Sequence, residues 1–78
     1  MNEQTIWTVI IKDNSSGAMS TVSFRYYNSA IDYVLFELSD ALEFECPEDE
    51  SSARDVLEEQ MYYEGKKATY WIEETRLF

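Results

Sequence analysis

A chain of 78 residues, 45% hydrophobic and 15% aromatic, has material for one small core and none for a second, which excludes two functional modules and excludes a wholly disordered chain. Sixteen acids against six bases leave a formal charge of −10, which repels nucleic acid and anionic lipid and points to a basic partner. One cysteine and no histidine exclude an intrachain disulfide and the usual zinc sets, and with no leader-like or spanning apolar run they suit a reducing, cytoplasmic setting.

Residues 5–12 (TIWTVIIK) are rich in β-branched and aromatic side chains. Trp7, Val9 and Ile11 fall on one face and Ile6, Thr8 and Ile10 on the other, which predicts a central strand. The cluster Asp13-Asn14-Ser15-Ser16-Gly17 predicts a turn, and residues 19–27 alternate Val22, Phe24 and Tyr26 against Thr21, Ser23 and Arg25, completing a hairpin. Ser29 with Asp32 three residues on reads as a capping box. Ile31, Val34, Leu35, Leu38 and Leu42 then recur at helical spacing, predicting a helix over residues 30–44. Pro47 breaks it. Ser52 and Asp55 predict a second, weaker helix through Val56, Leu57, Gln60 and Met61, ending near Gly65. Residues 67–78 (KATYWIEETRLF) return to strand character, with Tyr70 and Ile72 opposed to Thr69, Trp71 and Glu73.

The expected architecture is a single small acidic α+β domain over residues 1–78, a three-stranded sheet with two helices on one face in the order β-β-α-α-β. A helical crossover would lay the last strand parallel beside the first.

The charge is not spread evenly. Residues 32–64 hold twelve acids and the single base Arg54, whereas the remainder holds four acids and five bases. A helix of this length spans ~22 Å, so the layer carries about one charge per ~2 Å, comparable with the ~1.7 Å of duplex DNA. Tyr33, Phe36 and Phe44 fall outside the apolar stripe of the first helix, where a merely solvated face has no need of aromatics.

Catalysis finds no support. Cys46 lacks a histidine base and its acidic neighbours disfavour the thiolate, so it reads as a small buried apolar residue. The segment Cys46-Pro47-Glu48-Asp49-Glu50 lacks the spacing and glycine of a calcium loop, and two isolated glycines make no phosphate loop. No enzyme activity, metal or cofactor is expected. Trp7 and Trp71 read as packing residues of the sheet.

In size, acidity and element order the chain resembles small virus-encoded anti-defence inhibitors, including anti-CRISPR proteins and other DNA mimics. The likeness is carried by EFECPEDE (residues 43–50) and RDVLEEQMYYE (residues 54–64). Small acidic immunity proteins that neutralise a basic nuclease toxin are similar to it as well. The resemblance implies a stoichiometric inhibitor acting in a bacterial host cell on a basic nuclease or CRISPR effector. Asp40, Glu43, Glu45, Glu48, Asp49, Glu50, Glu58 and Glu59 would supply steering and charge pairing, and Tyr33, Phe36, Tyr62 and Tyr63 the anchors. The alternative from another class is a structural or regulatory module, monomer or homodimer, that pairs an exposed strand edge with another chain, residues 67–78 being the strand to examine.

Overall fold

Period-two alternation of apolar residues decides which way the sheet faces. In the computed structural model, which describes residues 4–77, the elements are β1 (Gln4–Asp13), β2 (Met19–Phe24), α1 (Tyr27–Asp40), α2 (Pro47–Gln60), β3 (Tyr62–Glu64) and β4 (Ala68–Leu77). The strands lie in the order β2-β1-β4-β3 and every pairing is antiparallel. Register sets Val9 opposite Val22 and Ile72, Ile11 opposite Tyr70, and Tyr63 opposite Tyr70. On that face Val9, Tyr70 and Ile72 join Ala30, Ile31, Val34, Leu35 and Leu38 of α1 and Ala53 and Leu57 of α2 in one buried core. Both helices therefore cover the same face, as the sequence predicts.

The expected three strands are four. Met61 takes a left-handed φ of 54° and its N–H bonds the Leu57 carbonyl at 2.8 Å, which ends α2 at Gln60 rather than near Gly65. The aromatic pair that follows then forms β3, and its turn reverses the chain. As a result β4 runs antiparallel to β1, and the predicted parallel crossover is replaced by a hairpin.

Helix boundaries also move. Ser29 lies inside α1, whose N-cap is Tyr26 without a side-chain hydrogen bond. The start is held by packing instead, with Tyr27 edge-on to Trp7 at 5.0 Å. The helix stops at Asp40 rather than residue 44. Leu42 adopts φ 59°, its N–H bonds the Ser39 carbonyl, and the Glu43 N–H bonds the Leu38 carbonyl, each at 3.0 Å. That pair of bonds is a Schellman ending with leucine where glycine is usual, and it expels Leu42 from the expected core stripe to 84% exposure. Phe44, read as lying outside the core, packs against it.

α2 starts earlier than Ser52. Cys46 is the N-cap, Pro47 the first helical residue, and a capping box joins Cys46 with Asp49. Cys46 is thus exposed, not buried, because it stands at the helix end, where its N–H bonds the Asp49 carboxylate. β2 stops at Phe24 and Tyr26 is exposed, while Phe78 lies outside the described residues.

Candidate docking surface

Local geometry divides the predicted acids into those that hold the chain and those that do not. Glu43 leaves the end of α1 and accepts backbone N–H groups of Lys66 at 2.8 and 2.9 Å and of Lys67 at 3.3 Å, fixing the β3–β4 turn. Asp49 accepts the N–H groups of Glu45 at 2.7 Å and Cys46 at 3.2 Å. These two carboxylates are structural. Arg54 binds Asp32 at 2.7 Å and lies 3.9 Å from Glu58, a solvent-exposed arrangement worth about 0.2–1 kcal/mol.

The others point outward. Asp40, Glu45, Glu48, Glu50, Asp55 and Glu59 are exposed and form no ion pair among the described residues. Glu64 leaves the group, since register places it opposite Thr69 on the sheet face away from the helices. Residues 32–59 nonetheless retain eleven acids against Arg54. By register that opposite face carries only Lys12, Glu64 and Glu73 as charged residues of the strands.

The four aromatic anchors separate. Phe36 is 67% exposed on the outer side of α1, one helical turn from Asp32 and from Asp40. Tyr33 is half-buried against Phe24, with ring centroids 5.3 Å apart. Tyr63 packs against the core. Tyr62 stands on the far face of the sheet, 5.7 Å from Trp71. Phe36 alone of the four shares the acidic surface as an exposed group. Sequence reasoning missed Leu42 as an exposed apolar residue, because its spacing continues the core stripe and nothing before residue 42 signals a left-handed ending.

Burial pushes the Tyr33 and Tyr63 hydroxyls above their ordinary pKa, with neighbouring carboxylates adding to it: Glu37 at Tyr33, Glu43 and Asp49 at Tyr63. Among the described residues no group of histidine, cysteine or acidic side chains could hold a metal, and no helix is long and apolar enough to cross a membrane. Comparison with protein-family models, with curated proteins and with solved structures finds no match to the chain.

Asp49 gives a pH prediction. Hydrogen bonds from the Glu45 and Cys46 backbones hold its carboxyl below the ordinary range. A depressed folded-state pKa contributes stability above the unfolded value, and that contribution is lost as pH falls through the folded one. Asp49→Asn should therefore lower the melting temperature near neutrality and flatten its decline below about pH 4. Identical acid melting profiles for the two proteins would show that the cap is not coupled to folding.

Proposed function

We propose that the protein is a stoichiometric inhibitor that docks its acidic helical layer into the basic nucleic-acid-binding surface of a nuclease or nucleic-acid-guided defence complex. One observation carries the reading. Six carboxylates of the helical half stand exposed and, among the described residues, outside any ion pair, and the same half exposes Phe36, while the strands of the opposite sheet face carry few charges. A fixed negative surface on one side steers a basic partner into a preferred orientation, raises the association rate and makes it fall with salt. An aromatic within that field supplies the apolar contact that charge alone lacks.

Affinity capture from a bacterial lysate tests it, with washes at low and then raised salt. The expected catch is a basic nucleic-acid-binding protein, released by salt and displaced by duplex DNA. The triple variant Glu48→Gln, Glu50→Gln, Glu59→Gln should slow association with that protein at least about tenfold at low salt while remaining folded, with at most a small drop in melting temperature from the two first-turn carboxylates of α2. Binding indifferent to salt, to DNA and to the triple variant would remove electrostatic mimicry as the mechanism.

A strand-edge module is the second reading, favoured by β2. This outer strand has no neighbour on one side among the described residues and no charged side chain. The last strand does not supply that edge over residues 69–71, where β4 lies between β1 and β3.

A further inference from the structure

Between the C-terminal half of α1, the β1–β2 turn and the β3–β4 turn lies a groove of about 380 Å³. Its walls include Ile11, Ala18 and Met19 from the hairpin, Glu37 and Asp40 from α1, and Tyr70 from β4. Asp13 and Lys67 also line it, but Asp13 is occupied by its own turn, accepting the Ser15 N–H at 2.8 Å and hydroxyl at 2.7 Å. Neither Glu37 nor Asp40 forms an ion pair among the described residues.

Tyr70 provides the independent observation. Its side chain belongs to a residue only 4% exposed, and its hydroxyl has no hydrogen-bond partner among the described residues. Yet no side-chain oxygen there is both sealed from solvent and unpartnered. The hydroxyl therefore opens into the groove that its residue lines. A phenol oxygen that reaches an open groove from an otherwise buried ring, with no partner within the fold, is free to accept a hydrogen bond from a cationic group held there by the carboxylates. Burial, then the charges of Glu37 and Glu43, push its pKa up to about 12, so it keeps its proton across the physiological range.

We propose that this groove receives a basic side chain of the docked protein, with its ammonium or guanidinium group set between Glu37 and Asp40 and hydrogen-bonded to the Tyr70 hydroxyl. Ile11 and Ala18 cover the methylene stem. The proposal rests on the reading that the partner is basic, and it names where one of that partner's side chains goes.

The test needs no partner. Nα-acetyl-arginine amide, the lysine counterpart and the neutral citrulline counterpart are titrated separately at low salt into the isotopically labelled protein, followed by two-dimensional NMR. Saturable shifts at Ile11, Ala18, Ala41 and Tyr70 are expected with one or both cations and none with citrulline, and the cation that saturates first identifies the preferred head group. Glu37→Gln should weaken the binding at least about fivefold. Tyr70→Phe, which keeps the ring, should weaken it by a smaller factor; should that variant fail to fold, Glu37→Gln decides alone. Shifts that never saturate, that spread over Glu48, Glu50 and Glu59, or that persist unchanged in Glu37→Gln would overturn the proposal. Salt-sensitive capture of a basic protein alongside a silent groove would sink the groove alone, whereas failure of capture would sink the docking reading itself.

Discussion

Gly65→Val is expected to abolish the folded state at room temperature, read as loss of dispersed amide resonances and of the urea transition. A Cβ at residue 65 would stand 2.6 Å from Glu43 Oε2, 2.7 Å from the Ala68 carbonyl oxygen and 3.2 Å from Leu38 Cδ2. The carboxylate is a side-chain tip and could swing away, but it would then release the Lys66 and Lys67 N–H groups. The Ala68 oxygen cannot yield, because it accepts the Gly65 N–H at 2.9 Å and so closes the β3–β4 turn. The Asn14 side chain also reaches the Gly65 carbonyl at 2.9 Å, so displacing this residue loosens two turns together. Overpacking alone costs about 1–3 kcal/mol, each hydrogen bond lost adds up to about 1 kcal/mol, and a core of this size supplies only ~3–5 kcal/mol. Gly17 is the contrast. It occupies φ 78° in open space, so Gly17→Ala should cost only about 1 kcal/mol of backbone strain. Equal urea midpoints for Gly65→Val and the parent would show that the turn is far softer than its contacts imply.

Leu57→Ala should be nearly as damaging, at about 2–5 kcal/mol. Only Ala53 and Leu57 of α2 are buried, and Leu57 is the larger, with no exposed surface. The exposed Arg54–Asp32 pair cannot replace that anchor. The helix also carries much of the acidic layer, whose mutual repulsion favours its departure once the anchor is removed. The expected signature is loss of helical circular dichroism together with fast hydrogen exchange across residues 50–60. Slow exchange there in Leu57→Ala would mean that something other than this side chain holds α2 down.

What the sequence disclosed follows the strength of its periodicities. β1 has apolar residues on both faces and proves to be interior, between β2 and β4. Ile31, Val34, Leu35 and Leu38 share a face and are buried together. The breaks were less legible because each depends on backbone geometry rather than composition. Leu42 and Met61 both take positive φ, a conformation that neither side chain advertises. Missing the second of these hid β3 and, with it, the direction of β4. At the surface, the outward position of Glu59, two residues beyond the buried Leu57, follows from helix phase, but the withdrawal of Glu43 and Asp49 into hydrogen bonds could not be read that way. Both are held by backbone N–H groups, which every residue but proline possesses and which therefore mark no residue type. Tyr62 and Tyr63 were read as neighbours on a helix, whereas adjacent residues of a strand point to opposite faces.

β2 adds a hazard of its own. Its six residues, MSTVSF, contain neither a charge nor a proline, the devices by which outer strands normally refuse new neighbours. Mutual repulsion between whole molecules, each carrying −10, is what keeps two such ribbons from zipping together. Concentrated salt or mild acid weakens that guard while leaving the ribbon intact, so fibrils should appear first under those conditions, and a lysine at Thr21 should delay them.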